Sequence, residues 1–204
     1  TGAQMLPQDL AILSENCANI TSVKEATGDV NNMKLTRKYC GNDFNILSGD
    51  DALVYDMMIN PKIKACGSIS VMANIAPKFM TQMVTLLNQG KTQDALKIQN
   101  LLKPLLDLVV VTTEEATKFG PATCRARNPL PLKTMMQLLG MPSGPCRKPL
   151  GKMTTKGFNV ILEAMKQVQK TTPHIFKPIA DFFQVDIEDR LNNTQYQANL
   201  WYDN

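Results

Sequence analysis

The chain has 204 residues, of which 44% are hydrophobic and 20% charged, and its net charge is +4 at neutral pH. That balance is globular, not disordered, and no apolar run approaches the roughly 18 residues that would cross a bilayer. The basic clusters Lys34 to Lys38 and Arg147 to Lys152 lack interleaved aromatic residues and read as solvated faces, so neither nucleic acid nor membrane is an expected partner.

Thr1 is no initiator methionine, and no targeting segment precedes the first helical pattern, so the chain reads as opening in mid-domain. Leu10 and Leu13 stand at helical spacing over Pro7 to Asn16, with Pro7 suited to a first turn. The β-branched stretch Ile20 to Lys24 predicts a strand that ends on a lysine just before a turn. Thr27 and Asp29 are suitable caps for a helix over about Asn31 to Tyr39, which Gly41 ends. A second strand, Phe44 to Leu47, runs into Ser48-Gly49-Asp50-Asp51, whose aspartates start a helix through Leu53, Met57 and Met58 that Pro61 stops. A third strand, Ser68 to Val71, is followed by a helix from Pro77 with Met80, Met83, Val84 and Leu87 on one stripe.

Strands alternating with helices imply a parallel sheet, and their short, nearly continuous apolar runs imply cover on both faces. From Lys91 the pattern becomes helical: Leu96, Leu101, Leu102, Leu105 and Leu106 form a stripe, with Pro104 a predicted kink or break. A loop is expected from Thr112 to Arg127, then helices over Leu132 to Leu139, Thr154 to Val168 and Ile175 to Phe183. From Asp186 the sequence reads as a polar, poorly ordered tail.

Lys24 carries the chemical interest. The carboxyl end of a parallel strand is where α/β barrels do their chemistry. An amine enclosed there by Val23, Ala26 and neighbouring strands is desolvated, which disfavours its ammonium form. A neutral amine can attack a ketone to form an imine. With 22 lysines and arginines in the chain, any one alone reads as a surface charge; the strands around Lys24 make its case. Cys17, Cys40, Cys66, Cys124 and Cys146 form no C-x-x-C pair and no metal-ligand spacing with the single His174, which fits reduced thiols. The 12 methionines read as core filler, and His174 as a surface imidazole at a helix entry.

Three separated motifs now coincide in order and spacing: Val23-Lys24-Glu25-Ala26-Thr27-Gly28-Asp29, Leu47-Ser48-Gly49-Asp50-Asp51, and Gly67-Ser68-Ile69-Ser70-Val71-Met72-Ala73-Asn74-Ile75-Ala76-Pro77. Together they resemble the dihydrodipicolinate synthase / N-acetylneuraminate lyase family of pyruvate-dependent aldolases. Asn128-Pro129-Leu130-Pro131-Leu132-Lys133, followed by Leu138-Leu139-Gly140, looks like the dihydrodipicolinate synthase branch. The resemblance covers roughly Thr1 to Leu150.

That resemblance implies an α/β fold, the C-terminal portion of a (β/α)8 TIM barrel comprising its last three strands, plus a C-terminal helical domain. Residues 1–90 would be barrel, 91–153 the family's helical domain, and 154–204 a helical extension and polar tail. Thr1-Gly2 looks like the end of the family's Y-N-x-P-x-R-T-G segment. Lys24 matches the family's Schiff-base lysine, Gly49 a position where substrate approaches the backbone, and Ile69 one that shapes the pyruvate pocket. The family's proton-relaying tyrosine and threonine pair, and its carboxylate-binding arginine, match nothing in this chain; Tyr39 and Tyr55 fall on helices. Two departures stand out: a long segment from Leu108 to Asn128 containing Cys124-Arg125-Ala126-Arg127, and the extension beyond Leu150.

The implied reaction condenses pyruvate with aspartate semialdehyde through an imine on Lys24. It needs no metal or organic cofactor, because the imine nitrogen is the electron sink. The implied setting is cytoplasmic, or an organellar matrix had a targeting segment been lost. The implied partners are further copies of the chain or a complementing N-terminal half. Another pyruvate aldolase of the family (neuraminate lyase or 2-keto-3-deoxy sugar-acid aldolase) and a non-catalytic barrel fragment acting as an assembly module are the alternatives.

Overall fold

The computed structural model describes residues 4–202; the Thr1-Gly2 segment likened to a family motif lies outside them. The chain divides into two compact units, one of Thr1–Val71 with Lys78–Asn100, the other of Met72–Pro77 with Leu101–Asn204.

The first unit alternates helix and strand: α1 (Pro7–Asn16), β1 (Ser22–Glu25), α2 (Val30–Cys40), β2 (Asn45–Ser48), a 3-10 turn (Asp51–Leu53) leading into α3 (Val54–Ile59), then β3 (Gly67–Ser68) and α4 (Pro77–Asn88). The three strands are parallel in the order β1-β2-β3, with Lys24 opposite Leu47 and Leu47 opposite Gly67. The predicted caps are in place. Asp29 accepts from Asn31 N (2.8 Å) and Asn32 N (3.3 Å), and Gly41, at φ +81°, closes α2. Asp50 likewise accepts from Ala52 N at 3.1 Å.

The third strand is shorter than predicted. Beyond Ser68 the ladder makes one more bond, from Ile69 N to Ser48 O (2.8 Å), and Val71 N donates instead to the Asp51 carboxylate (3.1 Å). Among the described residues β3 has a neighbour on one side only, so a side-chain acceptor wins its next N–H. Behind the sheet Met33, Ile46, Met57 and Ile63 are buried, joined by Phe44 and Ala65. Arg37 corrects the reading of Lys34 to Lys38 as wholly solvated. Its guanidinium is buried and donates to the carbonyls of Gly41, Asn42, Phe44, Ile63 and Lys64, tying together the loops that lead into β2 and β3.

The helix α5 (Thr92–Leu106) runs on through Pro104, which is exposed and so close to the end that few backbone bonds are lost. The expected loop over Thr112 to Arg127 is instead an antiparallel hairpin, β4 (Val110–Thr117) and β5 (Gly120–Arg127), joined by Lys118-Phe119. Gly120 sits at φ +108°, a conformation that suits glycine. Residues alternate between half-buried and exposed along both strands, so one face leans on the protein and the other on solvent. Then come α6 (Leu130–Leu138), α7 (Thr155–Thr171), a 3-10 turn at Pro173–Ile175 holding the exposed His174, α8 (Lys177–Phe183) and α9 (Ile187–Asn192).

The tail after Asp186 is not loose. Ile187 and Leu191 are buried, and Arg190 donates to Leu138 O (2.8 Å) and Gln137 O (2.7 Å), capping α6 from outside its own sequence. Leu200 O accepts from Met153 N, Met153 O accepts from Tyr202 N, and the Trp201 ring stacks on Phe158 with centroids 4.4 Å apart. A few well-placed apolar residues therefore hold a segment whose composition is polar. Methionines do fill cores, among them Met33, Met57, Met83, Met135 and Met165. Among the described residues no helix is long and apolar enough to cross a membrane.

Candidate functional site

The carboxyl ends of β1, β2 and β3 gather the residues singled out from the sequence. Side chains alternate across a strand, so Lys24 and Glu25 point to opposite faces. Glu25, Ile46 and Ser48 on one side are buried; Ser22, Lys24 and Asn45 on the other are exposed, and Ile69 is 46% exposed. One face of the sheet is thus covered by helices and the other is open.

Lys24 lies on the open face. The desolvation expected from Val23, Ala26 and neighbouring strands is therefore not met: the side chain is exposed, and among the described residues no fourth strand joins the sheet. Its stem nonetheless runs along a defined slot. A Cβ built on Gly49 would stand 2.9 Å from Lys24 Cε, 3.0 Å from Lys24 Cγ and 2.8 Å from Ala26 Cβ. Gly49 is required there by space and not by backbone angle. The ladder continues one step past the strands, with Gly49 N donating to Glu25 O (2.7 Å) and Ile69 N to Ser48 O (2.8 Å). So Lys24 and Gly49 are brought side by side, and Ile69 is fixed one backbone bond from the residue before Gly49. Ser48, wholly buried, donates through its hydroxyl to Asp50 O at 2.8 Å and sets the turn that exposes Gly49.

Sequence reasoning passed over Glu25. The residue is 3% exposed, and its carboxyl accepts from Thr27 N (2.8 Å) and from Asn32 Nδ2 (3.0 Å). The signal was available: a charged residue at a position whose alternation faces a helix has to be bonded there. Tyr39 and Tyr55 lie on α2 and α3, as expected. No group of three or more His, Cys, Asp or Glu arranged to hold a metal occurs among the described residues.

Elsewhere, an apolar cleft of ≈ 450 Å³ lies between α2 and α3, lined by Val30, Met33, Leu53, Met57, Ile59 and Ile63 among others. A smaller one of ≈ 200 Å³ lies between the hairpin and the start of α7, with Cys124, Lys152 and Thr154 in its wall. Neither includes Lys24. Large clefts are the usual place to look for a ligand, but neither is lined by the residues gathered at the strand ends.

The sequence matches the model of the Dihydrodipicolinate synthetase family over residues 1–168, further than the motifs alone reach, and the chain belongs to that family. It is 33% identical over 168 residues to a 4-hydroxy-tetrahydrodipicolinate synthase of Methanococcus maripaludis strain C7, covering 82% of this chain and 52% of the relative. Among solved structures, it is similar to the lysine-bound dihydrodipicolinate synthase of Cyanidioschyzon merolae (TM-score 0.67, 28% identity, 82% of this chain and 51% of that one). A second is the chloride-inhibited, pyruvate-complexed dihydrodipicolinate synthase of Acinetobacter baumannii (TM-score 0.66, 28% identity, 82% and 52%). The chain spans about half the length of the relatives it matches, and its α/β fold is that of this barrel-enzyme family.

Proposed function

We infer that this chain is the C-terminal part of a (β/α)8 barrel, with β1, β2 and β3 its last three strands, in an enzyme that condenses pyruvate with aspartate semialdehyde to give 4-hydroxy-tetrahydrodipicolinate. Residues 1–90 are then barrel, 91–153 the helical domain, and 154–204 an extension of it. The observation that carries this reading is the open sheet face with Lys24 at its carboxyl edge and Gly49 clearing the path of its stem. In a closed barrel that face is the interior wall, which shields an amine from bulk water.

Lys24 Nζ then attacks the keto carbon of pyruvate. The carbinolamine loses water to an imine, and loss of a methyl proton gives an enamine. The enamine carbon bonds to the aldehyde carbon of aspartate semialdehyde, and attack by the substrate's own amine displaces Lys24 as the ring closes. Electrons return to the imine nitrogen, so no metal or organic cofactor is called for. Gly49 and Ile69 shape the pyruvate end of the pocket. The acid and base groups belong to the rest of the barrel; positioned groups of that kind commonly contribute about 10²–10⁴-fold, so the 204-residue chain alone is expected to turn over little. Its partners are further copies of itself or a complementing N-terminal half.

The matches to synthases, together with Asn128 to Lys133, favour aspartate semialdehyde over the acceptors of neuraminate lyases and sugar-acid aldolases. The test is a panel of aldehyde acceptors offered with pyruvate to the complete protein. Turnover with aspartate semialdehyde that vanishes in Lys24→Ala supports the reading; equal turnover in that variant, or preference for a sugar aldehyde, overturns it.

A further inference from the structure

We propose that Glu25 is a positioning residue: from the covered face of the sheet it fixes the direction in which Lys24 presents its amine. This rests on the imine-forming role of Lys24 given above.

Glu25 follows Lys24 directly, so the two share a peptide plane and point to opposite faces. Glu25 is almost wholly buried, in a layer where its register partner on the next strand is the buried Ser48, with Ile46 beside it. Burying a carboxyl costs free energy unless it is well bonded, and here both oxygens are engaged. Oε1 accepts from Thr27 N in the turn after the strand (2.8 Å), and Oε2 accepts from Asn32 Nδ2 in the first turn of α2 (3.0 Å). Asn32, itself 6% exposed, is held in turn by Gln4 Nε2 on its Oδ1 (3.1 Å) and by Asp29 Oδ1 on its backbone N–H (3.3 Å). The Glu25 carbonyl accepts from Gly49 N (2.7 Å).

One residue thus ties together the end of β1, the turn that leaves it, the helix that follows and the end of β2. Such a clamp fixes the backbone angles on either side of the Lys24–Glu25 peptide, and with them the Cα–Cβ direction of Lys24. A four-carbon stem magnifies any rotation at its root, while productive geometry tolerates only about 10–20°. Gly49 leaves the slot in which the stem runs; Glu25 aims it.

The test uses the complete barrel and timed borohydride quenching in the presence of pyruvate, which reads the rate of imine formation on Lys24. Asn32→Asp sets two carboxyl groups against each other across the 3.0 Å contact. Adding Glu25→Gln to it rebuilds the contact with donor and acceptor exchanged: the new amide donates to the new carboxylate, and both Thr27 N and Gln4 Nε2 keep an acceptor. At matched folded fraction, Asn32→Asp is expected to slow imine formation about tenfold or more, and the double variant to recover to within about threefold of wild type. A merely structural role would change the folded fraction and leave the rate per folded molecule alone. Wild-type rate in folded Asn32→Asp, or a double variant as slow as the single, overturns the proposal. Should Asn32→Asp not fold, Glu25→Met, which removes both acceptors at similar size, is read the same way: slow imine formation supports the clamp and an unchanged rate removes it. Absence of any adduct on Lys24 in wild type would fell the reading of Lys24 and this proposal with it, whereas wild-type trapping with indifferent variants fells this proposal alone.

Discussion

Replacing Gly49 with alanine tests whether the strand ends are built around the lysine stem. The added methyl would lie 2.8 Å from Ala26 Cβ, 2.9 Å from Lys24 Cε and 3.0 Å from Lys24 Cγ, whereas carbon atoms pack comfortably at about 3.5–4.0 Å. The two lysine contacts can be relieved by swinging the side chain aside. The contact with Ala26 cannot, because that Cβ is fixed to the backbone, so the ends of β1 and β2 must part. Overpacking of this kind costs about 1–3 kcal/mol. Displacing a reacting group by about 1 Å can cost a further hundredfold in rate. Gly67→Ala is the control: its methyl meets the far end of Leu47 at 3.3 Å, and a flexible side chain can yield. Urea unfolding of the complete protein should show the loss for Gly49→Ala and much less for Gly67→Ala, and timed borohydride trapping should fall in the first only. Equal unfolding midpoints and equal trapping rates for Gly49→Ala and wild type would refute the reasoning.

Three further outcomes are expected. Arg37→Met strips five carbonyls of a buried cationic donor and should cost about 3–5 kcal/mol by denaturant unfolding; Arg37→Lys should fall between it and wild type, since an ammonium lacks the fork. The Glu115 carboxyl is held below the usual range by the hydrogen bond from Thr113 (2.7 Å), then by Thr154 and by the charge of Lys156. A depressed carboxyl stabilises the fold above its unfolded pKa and stops doing so as pH falls through the folded one, so the difference in thermal midpoint between wild type and Glu115→Gln should shrink between about pH 5 and pH 3. Trp201→Ala removes the ring stacked on Phe158 and should cost about 2–4 kcal/mol by circular dichroism; an unaffected midpoint would mean that the tail holds nothing.

What the sequence revealed and what it concealed divide along physical lines. Local chemistry was legible: Asp29 and Gly41 bracket α2 because capping and a positive φ are decided by neighbouring residues, and the strands ending at Lys24 and Leu47 emerged within a residue or so. Long-range bonding was not. The hairpin hides because Thr113, Glu115, Ala122 and Cys124 face inward without being strongly apolar, and its turn, Lys118-Phe119-Gly120, is no standard hairpin signal. Arg37 sits in a run of bases that looks solvated, yet its donors meet carbonyls more than twenty residues away. The tail reads as loose because Trp201 and Arg190 find their partners at Phe158 and Leu138. At the site, Lys24 was named from its place at a strand end and Gly49 from motif likeness, and the structure adds their contact. Glu25 escaped notice because its partners, Thr27 and Asn32, declare themselves only once the turn is folded.

The central claim is that the ε-amine of Lys24 forms an imine with pyruvate. Complete protein incubated with pyruvate, reduced with borohydride, digested and weighed should gain the mass of a reduced pyruvate adduct on the peptide containing Lys24. A modified peptide that contains any other lysine, or no modified peptide at all, would contradict it.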